Sequence, residues 1–182
     1  MKGELFFFNS NYNIPEGYNK FKSGHIGISF DRDLSPKKIY GFGPIDTNFL
    51  DSDNSSSIEG IVKDDTNYFK QYFYECSSNS PLYKINISFN PSNKNDFFKT
   101  KSTYSHPLIS GATFKENIDS LEKYNNCITF LVNTIKPVID NDIVINLTQI
   151  DHGGDVGWYP GGYIYGFIEK YKQYAKIVKS FE

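Results

Sequence analysis

Apolar and polar residues alternate most cleanly in two stretches of this chain. In residues 25–30, Ile26, Ile28 and Phe30 fall on one side, and His25, Gly27 and Ser29 on the other. In residues 82–89, Tyr83, Ile85, Ile87 and Phe89 share a face. A period of two marks a strand with one buried face. Residues 4–8 predict a further strand, followed by a polar loop over 9–17. Residues 38–42 predict another, ending at Gly43-Pro44, and with the turn at 31–36 they make a hairpin with 25–30. An Asp/Ser/Asn-rich loop at 45–57 precedes a short strand at 58–63, while 67–76 fits either strand or helix.

Helical spacing takes over in the second half. Asn90-Pro91-Ser92 starts a short helix through Phe97 and Phe98, and Thr113 with Glu116 resembles a capping box ahead of Ile118 and Leu121. Ile128, Leu131, Val132 and Ile135 form a helical stripe over 126–136 that Pro137 ends. A last helix is predicted over 161–178, with Ile164, Phe167, Ile168 and Tyr171 on one side. Between these two helices, residues 151–162 are rich in glycine and hold the only tryptophan, Trp158. No internal repeat or linker interrupts the chain, so residues 1–182 read as one α+β domain, an antiparallel β-sheet packed against helices.

The chain has 182 residues, enough for a core that needs no staples. With 38% hydrophobic and 22% charged residues it has the composition of a folded domain rather than a disordered one. A formal net charge of −2 with no Lys/Arg stripe gives no basis for a nucleic-acid partner. The aromatic fraction of 17% goes with an abundance of Phe, Tyr, Asn, Lys and Ile, the signature of an AT-rich genome. No run approaches the roughly 18 apolar residues of a membrane span. Leu5-Phe6-Phe7-Phe8 is too short for a signal-peptide core. The expectation is a protein without a transmembrane segment, either cytoplasmic or exported without a classical signal peptide.

Two residues carry the chemistry. Cys127 falls in the first turn of the helix at 126–136, behind Asn126 as N-cap. There the helix dipole and the free backbone amides favour a thiolate and can hold a developing oxyanion. His25 shares its strand face with Gly27, whose missing side chain leaves room for the helix bearing Cys127 to approach. Against this stands a plainer alternative, in which Cys127 is a small buried residue and His25 a satisfied surface polar group. Neither metal nor cofactor is expected. The run at 51–55 lacks the glycine and glutamate of a calcium loop, no Cys/His spacing makes a zinc site, and dinucleotide and phosphate-loop glycine patterns are missing.

The segments Gly24-His25-Ile26-Gly27-Ile28-Ser29, Tyr40-Gly41-Phe42-Gly43-Pro44 and Tyr124-Asn125-Asn126-Cys127-Ile128-Thr129-Phe130 resemble the circularly permuted papain-like hydrolases. That grouping is related to the NlpC/P60 peptidases and includes the lecithin-retinol-acyltransferase-like and PPPDE-type proteins. The order histidine then cysteine is the most discriminating part of the likeness, which covers 23–44 and 121–135. The resemblance implies Cys127 as nucleophile and His25 as general base and acid. The family often adds a third polar residue on the strand after the histidine. Tyr40 is the nearest candidate there, Ser29 shares the His25 face, and the expectation is a dyad. His106 is a weaker candidate for orienting the imidazole. Trp158 and His152 are expected to line a substrate groove beside the site.

The expected function is therefore a cysteine hydrolase. It would cleave an amide through a thioester acyl-enzyme, in a peptide or cell-wall peptide such as peptidoglycan. A small domain of this kind suits a secreted effector or toxin with a cognate inhibitor or carrier protein. Lipid esters are the alternative substrate, making the protein a thiol-dependent acyltransferase or lipase. A non-catalytic binding module on the same fold, with Cys127 idle or bonded to Cys76, is the reading from a different class.

Overall fold

Strand β1 (Lys2–Phe8) explains the layering. Every residue after Lys2 is buried, and alternation sends Leu5 and Phe7 to one side and Phe6 and Phe8 to the other. A strand buried on both faces reads as a continuous apolar run, and Leu5 to Phe8 is one. The computed structural model describes residues 1–9, 17, 19–21, 24–46, 57–105, 124–147 and 160–181. The chain runs β1, β2 (His25–Ser29), β3 (Tyr40–Pro44), β4 (Ser57–Asp64), α1 (Thr66–Cys76), β5 (Tyr83–Ser88), α2 (Pro91–Lys99) and β6 (Thr103–Ser105). It continues through β7 (Tyr124–Asn125), α3 (Cys127–Ile135), β8 (Val138–Ile139), β9 (Ile143–Val144), α4 (Pro160–Tyr171) and β10 (Lys176–Ile177).

The sheet has the order β7-β6-β4-β3-β2-β1-β5-β8-β9, with β10 also on β5. Its pairs are antiparallel except β6 with β7. Together with the four α-helices of the described residues this makes an α+β fold. β2 lies against β1 with His25 opposite Phe8. β3 meets β2 at Ile28↔Tyr40 and β4 at Tyr40↔Asp64. The hairpin turn between β2 and β3 is tied down by Arg32, which donates to the carbonyls of Gly3 (2.9 Å) and Ile87 (2.6 Å) and pairs with Asp140 at 2.7 Å.

One face of the sheet carries α1, whose Phe69, Tyr72 and Cys76 join Phe6, Phe8, Phe21 and Ile39. Positions 69, 72 and 76 are helically spaced, which resolves the ambiguity of that segment. The other core contains Leu5, Phe7, Ile26 and Ile28 together with residues of α3 and α4. α3 packs against β2, β3, α2 and α4 and is buried on every side except at Asn133 and its C-cap. It is thus a central helix rather than the amphipathic one that the stripe at 128, 131, 132 and 135 predicts. Lys136 ends it in the left-handed region (φ 51°) before Pro137.

The last helix is shorter than predicted. α4 stops at Tyr171, a 3₁₀ turn follows at Lys172–Tyr174, and β10 then pairs with Lys84 and Tyr83 of β5. The Val178 amide donates to the Leu82 carbonyl at 2.8 Å, so an open sheet edge takes the backbone that the apolar spacing assigned to a helix. The capping box at 113–116 and the glycine-rich run up to residue 159 lie outside the described residues. Among the described residues, no helix is long and apolar enough to cross a membrane.

Candidate active site

His25 opens β2, and its side chain is 14% exposed. The ring stacks on Phe69 (centroids 5.4 Å, 24°) and meets Tyr68 edge-on (5.2 Å, 80°), so α1 holds two of its sides. The expectation that the cysteine helix approaches over Gly27 is corrected here. A Cβ at Gly27 would meet Ile39 and Phe69, each at 2.7 Å, so the space belongs to α1 and the start of β3.

The Nε2 atom of His25 lies 2.7 Å from Oδ2 of Asp65, whose side chain is 15% exposed. Asp65 occupies the N-cap position of α1, yet its carboxylate makes no cap bond. The neighbouring Asp64 does that work instead: its Oδ1 accepts from the Thr66 amide (3.0 Å) and hydroxyl (2.5 Å). The corner is fixed further by the Asp65 amide donating to the Ile39 carbonyl (2.8 Å) and the Ile39 amide donating to the Thr66 hydroxyl (3.0 Å). With capping done next door, the Asp65 carboxylate is left to face the imidazole. Gly41 makes this possible, since a Cβ there would collide with Asp65 Oδ2 and come within 2.7 Å of His25 Nε2.

Cys127 is the first residue of α3 and is 2% exposed. It lies close enough to the His25 ring to help raise that ring's pKa. The helix start is closely tied. Asn126 Oδ1 accepts from the amides of Ile128 (3.0 Å) and Thr129 (2.9 Å), and the Thr129 hydroxyl accepts from the Asn126 amide (2.9 Å). This reciprocal cap alters the oxyanion expectation. The Ile128 and Thr129 amides are spent on Asn126 and the Phe130 amide on the Asn126 carbonyl (3.1 Å), which leaves the Cys127 amide of the first turn for an oxyanion.

Electrostatics make the imidazole a cation. Burial opposes its charge and is the largest single influence. The hydrogen bond and charge of Asp65, then those of Cys127, together outweigh it and push the His25 pKa up from 6.5 to about 10. The phenols nearby stay neutral. Burial holds Tyr68 well above the ordinary tyrosine value, with the charges of Asp65 and Cys127 adding to it, and burial with the charge of Cys127 does the same at Tyr104.

The other predicted residues lie elsewhere. Tyr40 is not the third member: it directly precedes Gly41 on β3, so its side chain leaves the opposite face of the strand and packs against Phe30 (6.1 Å) and Phe98 (5.2 Å). Ser29 is buried and its hydroxyl donates to the Asp31 carbonyl (3.1 Å), holding the hairpin turn rather than the imidazole. Cys76 is a free thiol in the opposite core from Cys127, so the two are not disulfide-bonded. His106, His152 and Trp158 fall outside the described residues. Among the described residues, no cluster of three or more His, Cys, Asp or Glu side chains is placed to hold a metal.

Asp65, Gly41, Tyr68 and Phe69 are the site residues that the sequence reading missed. The signal for Asp65 was an acidic pair, Asp64-Asp65, between a predicted strand and a segment of undecided structure. The result is an imidazole paired with a carboxylate and electrostatically linked to a thiol, delivered by β2, the β4–α1 corner and α3. Compared with protein families, curated proteins and solved structures, the chain matches none of them.

Proposed function

We propose that this protein is a cysteine hydrolase of the permuted papain-like kind, cleaving an amide bond in a peptide, with cell-wall peptides among the candidate substrates. The observation that carries the reading is the single imidazole that pairs with the Asp65 carboxylate at 2.7 Å and whose proton is held by that carboxylate and by Cys127 at the start of α3. The chain order of histidine strand, then carboxylate, then cysteine helix agrees with that arrangement.

In the proposed reaction the Cys127 thiolate attacks the carbonyl carbon and the C=O electron pair moves onto oxygen. The Cys127 amide donates to that oxyanion. As the tetrahedral species collapses, the C–N bond breaks and the His25 imidazolium gives its proton to the departing amine. Water then attacks the thioester while neutral His25 takes its proton, the acid is released and the thiolate is restored. Asp65 orients the ring and stabilises its charge throughout. An amine leaves only when protonated, and an imidazole that stays cationic through neutral pH supplies that proton. An ester places less demand on it, which favours amides over the acyltransferase or lipase alternative.

The test is turnover of a panel of peptide amides, cell-wall stem peptides and acyl esters, with acid-quenched samples mapped for a thioester. Amide cleavage with an acyl adduct on Cys127 is expected. Better turnover of the esters would move the protein to the acyltransferase or lipase class. No turnover, with Cys127 alkylated as slowly as Cys76, would leave a binding module.

A further inference from the structure

A cleft of about 610 Å³ opens where the start of β1, the β2–β3 turn and α2 meet. Its floor is aromatic. Phe30, Tyr40 and Phe98 contact one another with ring centroids 5.2–6.1 Å apart, and Phe98 is 45% exposed although the neighbouring Phe97 is fully buried. Leu34, at the tip of the turn and 40% exposed, adds a second apolar wall. The volume suits a few residues of a peptide, and an exposed ring beside an exposed leucine is an apolar anchor point.

The charge around this floor is one-sided. Lys2, Lys38 and Lys94 line the cleft with a single carboxylate, Asp31. Asp31 is already engaged, its Oδ1 accepting from the Asp33 amide at 2.9 Å. Lys38 has a loose, exposed pairing with Asp64 at 3.5 Å, and Lys94 lies 5.1 Å over the Phe30 ring. Among the described residues, Lys2 and Lys94 make no ion pair. Three cations around one carboxylate, in a protein whose net charge is −2, form a local field that a neutral ligand leaves unused.

We propose that this cleft docks an acidic peptide segment, one aromatic or branched apolar side chain against Phe98 and Leu34 with flanking carboxylates on Lys2, Lys38 and Lys94. The three lysines come from β1, the strand entrance before β3, and α2. That spread fits several carboxylates along a segment better than a point anion. A membrane surface fits less well. The apolar groups line a concavity rather than protrude, and three lysines fall short of a polybasic patch. The cleft is separate from the thiol site. Tyr40 faces it from one side of β3, while the neighbouring Gly41 abuts His25 and Asp65 on the other. Docking here therefore stands or falls independently of the proposed hydrolysis.

The experiment is fluorescence anisotropy on the full chain carrying Cys127→Ala, so that no probe is cleaved. The probes are fluorescein-labelled pentapeptides with Glu or Asp at both ends and Phe, Leu, Tyr or Trp at the centre. Gln/Asn versions and anionic phosphatidylserine vesicles serve as comparisons. Binding is expected for the acidic probes, weakened about tenfold by Lys38→Glu with Lys94→Glu, and similarly by Phe98→Ser. It should also weaken as salt rises. Lys38 and Phe98 are exposed and Lys94 is half-buried at the surface, so the variants are expected to fold, and circular dichroism checks this. Equal binding of the Gln/Asn probes, unchanged affinity in the folded variants, no binding by any acidic probe, or binding to vesicles alone would each overturn the proposal.

Discussion

The carboxylate of Asp65 and the imidazole of His25 meet at 2.7 Å in a space that exists because residue 41 has no side chain. Gly41→Ala is accordingly a precise way to separate them. The new methyl would displace the carboxylate, the ring or both, at an overpacking cost of about 1–3 kcal/mol. We expect a folded protein with a lower melting temperature, catalytic turnover reduced at least tenfold, and slower alkylation of Cys127. Unchanged turnover on a substrate found in the panel would show that the pair does not matter to the chemistry.

Asp65→Asn keeps the shape and removes the charge. Burial then acts on His25 with only Cys127 to oppose it, so its titration should fall from about 10 toward or below the ordinary 6.5. NMR of the imidazole in both proteins reads this directly. A shift of less than one unit would mean that Asp65 is not what holds the ring cationic.

The same raised value predicts how stability varies with pH. His25 binds its proton more tightly folded than unfolded, so its contribution is complete below about pH 6.5 and is lost as pH rises through about 10. Urea unfolding of wild type and His25→Gln across that window should converge toward the alkaline end. A difference that stays flat, or grows with pH, contradicts the assignment.

Removal of either group of the proposed dyad should abolish turnover: Cys127→Ala and His25→Ala are expected to be inactive yet folded. Cys76→Ala should leave activity close to wild type. Burial and Glu75 push the Cys76 thiol up, so it should alkylate slowly at neutral pH while Cys127 reacts quickly. Peptide mapping after a brief iodoacetamide pulse distinguishes the two, and equal labelling would remove the case for an activated thiol.

Asn126→Ala strips the cap from a helix start that is buried. Two amides lose their acceptor, so a loss of about 1–2 kcal/mol is expected, and Asn126→Asp should recover most of it. Chemical denaturation of the three proteins makes the comparison.

Much of this was legible in the chain. The alternation at 25–30 and 82–89, the Asn-Pro-Ser helix start and the Pro137 stop are local signals, and each lands on an element within a residue or two of its prediction. His25 and Cys127 were visible because each sits on such an element. Asp65 was not, because only the β3–β4 pairing brings it to the histidine, and that pairing spans a long, polar intervening segment. Tyr40 illustrates the cost of a one-residue offset in a strand: the position that faces His25 is Gly41, where the His25–Asp65 contact needs an absence rather than a side chain. The end of α4 was misread because helical spacing cannot register an open sheet edge waiting at β5.

The sheet that places Cys76 and Cys127 in opposite cores also sets how this protein responds to oxidants. These are the only two cysteines in the chain, so no resolving thiol stands beside Cys127. Peroxide would carry Cys127 to the sulfenic acid with no internal disulfide to halt it, and rescue must come from a small external thiol before the sulfinic stage. Inactivation by peroxide should therefore be reversible by dithiothreitol at first and permanent after longer exposure, with no cross-linked intermediate between.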